Sequence, residues 1–274
     1  MHPQSELAPI PRIGYGTWNR SSEEAYQGSL WALEAGYRHI DTAQGYENEQ
    51  DVGRAIRDSG LDPREVFLTT KVKPGNFAPG RIMPSVRESL DKLGMDKVDL
   101  LLLHWPAIKN QFALEDYISQ FAEVYDAGLA DRIGVSNFTI PLLTRTIELL
   151  GDRPLATNQV ECHVYMQNRP IVDHCRSIGL SITAYSPLAR GRVADDALLR
   201  DIGKAHDAGP DQVALAFLLH EGHIVIPSSA RKERIVTNLK AGEIRLSDDE
   251  IARIRTLEKG MRLVNGDWCP VWDT

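Results

Sequence analysis

The chain has 274 residues and a mass of 30.6 kDa, a length that suits one large α/β domain, since α/β barrels run to roughly 250 residues as a single unit. Its composition, 42% apolar and 25% charged, is that of an ordinary globular protein. A formal net charge of −7 and the lack of any Lys/Arg run exclude a general nucleic-acid binder. The longest apolar stretch, near 214–219, is far too short to span a bilayer.

Three cysteines, Cys162, Cys175 and Cys269, are scattered without a CxxC spacing. That sparse, odd count fits a reducing cytoplasm better than a disulfide framework. The first nine residues lack a basic region followed by an apolar core, so no secretory leader is expected. The expected partners are small molecules, and a monomer is expected.

Short β-rich runs alternate with longer helical patterns, which predicts βα units and a parallel sheet. Strands are expected near 12–17, 37–41, 66–71, 98–103, 132–135, 156–160, 180–184 and 223–226. Eight such strands suggest closure into a (β/α)8 barrel of one domain, 1–274. Ser21-Ser-Glu-Glu24 resembles a capping box, and the helix it opens stops at Gly36. Further helices are expected near 47–59, 80–93, 114–127, 140–150, 168–178, 195–207, 210–221, 231–240 and 248–258. Two of these fall between the last two strands, so one is an extra helix. The tail from about 260 carries Trp268, Pro270 and Trp272, an unusual apolar load for an end expected to be mobile, and one that suits folding back over a barrel mouth.

Four residues stand at or just after the ends of consecutive strands: Asp41, Tyr46, Lys71 and His104. In a parallel barrel the strands' C-terminal ends carry the functional groups, so these four are expected to share a pocket. A tyrosine is a weak acid, with a pKa of about 10, and a nearby ammonium lowers that value. Lys71 is expected to supply that field, Asp41 to hold Lys71 charged, and His104 to orient a carbonyl oxygen. Taken singly, each has a plainer reading: a turn cap, a solvated lysine, a packed histidine, a rim aromatic. Three successive strand ends weaken those readings.

The words around these residues resemble the aldo-keto reductase family. Gly14-Tyr-Gly-Thr-Trp18, Gly36-Tyr-Arg-His-Ile-Asp-Thr-Ala-Gln-Gly-Tyr-Glu-Asn-Glu49, Thr70-Lys71, Leu102-Leu-His-Trp-Pro106, Ile133-Gly-Val-Ser-Asn-Phe138, Asn158-Gln159 and Ala184-Tyr-Ser-Pro-Leu188 follow in the family's order. The resemblance implies a (β/α)8 barrel that uses NADPH/NADP+ without a Rossmann domain. Gly14-Tyr-Gly16 is no dinucleotide fingerprint, because Asn19 stands where GxGxxG needs its third glycine.

The resemblance also implies roles for further residues. Ser136, Asn137 and Gln159 would bond the nicotinamide carboxamide, and Tyr185 would stack on its ring. Gly16 and Thr17 would approach the cofactor, and the pyrophosphate would lie along Ser186, Pro187 and Leu188 toward Arg192. The 2′-phosphate would fall near Pro227, Ser228, Ser229, Arg234 and Asn238, at a helix start suited to an anion. Trp18 and Trp105 would wall the substrate pocket. Many members have Lys where this chain has Ser228 and Glu where it has Thr237, so Arg231 or Lys232 would have to compensate. Ile226-Pro-Ser-Ser229, Ser136-Asn-Phe-Thr-Ile-Pro141 and Arg262-Leu-Val264 are similar to bacterial 2,5-diketo-D-gluconate reductases of the B type, which implies keto sugars or methylglyoxal-like aldehydes as substrates.

Three rival readings carry less. A metal enzyme would draw on His104, His163, His174 and Cys162 or Cys175, yet no HExxH or paired CxxC is present. A cofactor-sensing protein without catalysis would have no need for all four strand-end residues. A Schiff-base lyase would have to use Lys71, the one strand-end lysine.

Overall fold

Strand and helix alternate along the chain because β-branched and leucine-rich runs are separated by capped amphipathic segments. In the computed structural model, which describes residues 8–273, eight strands form one parallel sheet in sequential order. Most of the N-terminal stretch read above for a leader lies outside the described residues. The strands are β1 (Tyr15–Gly16), β2 (His39–Asp41), β3 (Phe67–Val72), β4 (Leu100–Leu103), β5 (Ile133–Ser136), β6 (Leu155–Glu161), β7 (Ser181–Tyr185) and β8 (Ile224–Val225). All eight lie where the sequence predicts them, but the first, expected over 12–17, contracts to two residues.

The sheet closes on itself. Ile13 bridges Val225 in parallel, Gly14 N donates to Val225 O at 2.8 Å, and Gly16 N donates to Pro227 O at 3.0 Å. Closure of this kind leaves no open sheet edge. Gly16 is required for it, since a Cβ there would stand 2.8 Å from Ile226 O.

Ten α-helices surround the barrel among the described residues: α1 (Ser22–Ala35), α2 (Glu49–Asp58), α3 (Ile82–Leu93), α4 (Leu114–Asp126), α5 (Ile140–Leu150), α6 (Arg169–Ser177), α7 (Ala197–Ala205), α8 (Pro210–His220), α9 (Lys232–Leu239) and α10 (Asp248–Arg255). Ser21 and Glu24 form the expected capping box, and Gly36 ends α1 in the left-handed conformation at φ 106°. Both α7 and α8 precede β8, so the extra helix is real. Apolar helix faces and outward strand residues make the main core, with Ile40, Leu68, Leu101, Leu103 and Val135 within it.

Period two along each strand then sorts the barrel interior into layers. On β2 the inward residues are His39 and Asp41; on β3 they are Phe67, Thr69 and Lys71; on β4, Leu100 and Leu102, followed by His104. The lower layer is largely apolar, with Phe67, Leu100 and Leu102 in one cluster that Ile10 packs against. A middle layer pairs His39 Nε2 with Thr69 Oγ1 at 3.1 Å and Thr157 with Thr183 at 2.9 Å. The upper layer, at the C-terminal strand ends, is polar and opens into a cleft.

Candidate active site

Lys71 is the hinge of the upper layer. Its side chain has no exposed surface, and its Nζ donates to Asp41 Oδ1 at 2.5 Å, Thr42 O at 2.8 Å and Tyr46 Oη at 3.3 Å. Three acceptors match the three N–H groups of an ammonium. Tyr46, in the loop after β2, also stands 3.5 Å from His104 Nε2, with the two rings edge to face at 5.3 Å. The four predicted residues therefore share one pocket.

The second oxygen of Asp41 accepts from Gln159 Nε2 at 2.8 Å. Asn137, left-handed at φ 64°, donates from Nδ2 to His104 O at 3.1 Å and to Ser136 Oγ at 3.0 Å, and its Oδ1 accepts from Tyr185 Oη at 2.9 Å. Ser136 Oγ donates to Gln159 O at 2.8 Å. Much of the hydrogen-bonding capacity assigned above to a carboxamide is thus spent inside the protein, and Gln159 Oε1 is the acceptor left to face the cleft.

Burial dominates the electrostatics. It holds the Tyr46 phenol well above its ordinary pKa, and the Asp41 carboxylate pushes in the same direction. The expected lowering by Lys71 is not the net outcome, because a buried phenolate loses its hydration and the ammonium is already paired with Asp41. Burial also lowers the pKa of Lys71, against the pull of Asp41. His104 lies well below its usual value through burial, reinforced by the Lys71 charge, so its ring is neutral at physiological pH.

The tetrad opens into a cleft of about 810 Å³, within the ordinary range for small-molecule sites. Gly16, Ser136, Asn137, Gln159, Tyr185, Ser186, Pro187 and Leu188 line it, as do Pro227, Ser228, Ser229 and Arg234. The turn after β7 is tightly wound, with Ser186, Ala189 and Arg190 all left-handed at φ 47–53°. Two expected residues do not reach the cleft. Thr17 is fully buried and its Oγ1 donates back to Asp41 O at 3.1 Å. Asn238 lies one helical turn beyond Arg234 on α9 and is buried. Lys232, offered above as a compensating cation, points away and pairs with Glu34 at 2.9 Å.

The C-terminal tail is docked, not free. Glu161, fully buried at the end of β6, accepts from Leu263 N at 2.7 Å and Val264 N at 2.9 Å, and its Oε1 lies 3.1 Å from His163 Nε2. Val264 and Trp268 then line the cleft, and Trp268 meets Trp105 edge to face at 4.6 Å. Farther on, Arg262 lies over the Trp272 ring at 4.0 Å, and Asp273 accepts from Ile140 N at 3.0–3.1 Å, capping α5 where Thr139 offers no side-chain bond. Trp18, 46% exposed, stands opposite with Arg190 over its ring at 4.9 Å.

Sequence reasoning missed Arg20, whose Nε donates to Ser228 Oγ at 3.1 Å across the cleft, and Asp211, which lines it from the first turn of α8. Neither sits at a strand end, so no pattern marked them. Of the residues the metal reading would draw on, His163 is beside Glu161 and Cys175 is buried in the core, and no group of three or more His, Cys, Asp or Glu that could hold a metal ion is found among the described residues. The three cysteines are free.

Residues 12–259 match the model of the Aldo/keto reductase family. Methylglyoxal reductase DkgB of Escherichia coli O157:H7 is 40% identical over 265 residues, covering 96% of this chain and 99% of that protein. Aldo-keto reductase AKR2E4 of Bombyx mori is 37% identical, covering 95% and 92%. A crystal structure provisionally described as a 2,5-diketo-D-gluconic acid reductase B superposes with a TM-score of 0.93 at 40% identity, over 97% of this chain and 94% of that one.

Proposed function

We propose that this chain, which belongs to the aldo/keto reductase family, reduces the carbonyl groups of small aldehydes and keto sugars with NADPH, and that Tyr46 gives the proton. The observation that carries this reading is the single ammonium of Lys71 bonded to both the Asp41 carboxylate and the Tyr46 hydroxyl in a buried pocket. The names of the two 40%-identical relatives support methylglyoxal and 2,5-diketo-D-gluconate as substrates to try first.

The cleft residues fit a nicotinamide dinucleotide. At one end, the Tyr185 face and Gln159 Oε1 suit a flat ring bearing an amide. At the other, Arg231, Arg234 and Ser229 suit a phosphate, which guanidinium binds with charge-assisted bonds. When bound, that cofactor supplies a hydride to the carbonyl carbon.

The chain's own residues do the rest. Trp18, Trp105 and Trp268 give the substrate end apolar walls that exclude water and strengthen every charge interaction inside. Neutral His104 offers one N–H to the carbonyl oxygen and fixes its approach to Tyr46. The raised pKa of Tyr46 keeps its proton in place until an oxyanion develops beside it. The proton then moves from Tyr46 Oη to that oxygen, forming the alcohol. Lys71, already within hydrogen-bonding distance of Oη, stabilises the phenolate left behind.

A panel of aldehydes and keto sugars, followed by NADPH absorbance with NADH in parallel, tests the reading. Tyr46→Phe should bind NADPH normally and lose roughly 10²–10⁴-fold in turnover, the usual worth of a general acid. Near-normal turnover in that variant removes Tyr46 from the role. Cofactor binding with no turnover on any carbonyl would favour a sensor instead.

A further inference from the structure

The phosphate end of the cleft sets a carboxylate among its cations. Lys232 is engaged by Glu34 at 2.9 Å, and the Ser228 hydroxyl accepts from Arg20. Arg20, Arg231 and Arg234 line the cleft, and a carboxylate, Asp211, lines it with them. Asp211 feels Arg231 and Arg234 through space yet forms an ion pair with neither among the described residues. Its Oδ1 is buried without any hydrogen-bond partner. An acid in the first turn of a helix is ordinarily solvated and complements the helix dipole. A buried, unpartnered carboxylate oxygen is instead costly, and its retention at a ligand cleft asks for a ligand that answers it.

We propose that Asp211 is a specificity-determining residue at the adenosine end of the cleft: its carboxylate accepts from the ribose hydroxyls of an unphosphorylated dinucleotide and opposes a 2′-phosphate, so that the protein uses NADH as well as NADPH. The chemistry is general. An ionised carboxylate only accepts hydrogen bonds, so it suits a diol, whereas guanidinium suits a phosphate. The Asp211 carboxylate offsets one of the three arginine charges, Arg20, Arg231 and Arg234, that would meet a 2′-phosphate of about −2. The inference rests on the proposed cofactor class and deepens it.

Calorimetric titration of NADP+ and NAD+ into the wild type, Asp211→Asn and Arg234→Ala tests it without turnover. Asp211→Asn should tighten NADP+ roughly fivefold and weaken NAD+ by a similar factor, as expected for one charge acting at several ångströms in a partly solvated site. Arg234→Ala should do the reverse, weakening NADP+ and sparing NAD+. An Asp211→Asn protein whose affinity ratio stays within about twofold of wild type overturns the assignment. So does a parallel loss of both affinities, which would mean that Asp211 only supports the start of α8. Failure of the wild type to bind either dinucleotide would instead sink the cofactor reading itself, and this assignment with it.

Discussion

Gln159 donates from Nε2 to Asp41 Oδ2 at 2.8 Å, across the barrel interior and 118 residues away in sequence. With Lys71 on Oδ1, both oxygens of this buried carboxylate are bonded, and the orientation of Asp41 is fixed from two strands at once. A residue expected to be a cofactor ligand is therefore also a strut of the Asp41–Lys71–Tyr46 cluster.

Replacing Gln159 by Leu should leave Asp41 Oδ2 unpaired. The expected loss is about 1–3 kcal/mol of stability. Turnover should also fall, because Asp41 no longer holds Lys71 against Tyr46. The near-isosteric Gln159→Glu should be worse, since it sets a second acid against the first. Thermal unfolding and steady-state kinetics check both. Wild-type kinetics in Gln159→Glu would mean that the contact does not matter to the site.

The pH profile is set by the two burial shifts. On the proposed mechanism reduction requires a protonated Tyr46, a form fully present below its folded pKa and lost as pH rises through it. That pKa is raised well above the ordinary value, so the maximal rate should show no alkaline limb below about pH 10. His104 must be neutral to act as described, and it charges only as pH falls through a value well below 6.5. No acid limb should appear near 6.5. At saturating substrate, a rate that falls as pH rises from about 7 to 9 would contradict the Tyr46 assignment, and one that falls as pH drops through about 6.5 would contradict that of His104.

Glu161→Gln should loosen the tail. One of its two tail-binding oxygens becomes an NH2 group facing a backbone N–H, either at Leu263 or at Val264. Because Val264 and Trp268 line the substrate end, KM should rise by roughly tenfold while cofactor affinity holds. Limited proteolysis near 260–268 should quicken in step. An unchanged KM together with an equally protected tail would make Glu161 a plain core residue.

The strand-end residues were legible because a parallel barrel converts a one-dimensional rule into a position: the residue that ends a short apolar run comes to the mouth. Asp41, Lys71 and His104 obey that rule, and Tyr46 obeys it at one loop's distance. Thr17 and Asn238 are absent from the cleft lining, because sequence neighbourhood does not say which way a side chain turns. Thr17 is held back by Asp41 O, and Asn238 is buried one helical turn past Arg234 on α9.

Periodicity and strand order by themselves determined a parallel α/β barrel and which four side chains come together at its mouth, since backbone hydrogen bonding and period-two burial are local consequences of the chain. The tertiary structure alone decided the electrostatics. Whether Lys71 lowers the Tyr46 pKa depends on how much water the closed barrel removes and on Asp41 competing for the same ammonium. Whether Ser228, Lys232 and Asp211 favour a phosphate depends on Arg20 and Glu34, which reach Ser228 and Lys232 from more than 190 positions away. Charge interactions act through space and scale with desolvation, so sequence order does not encode them.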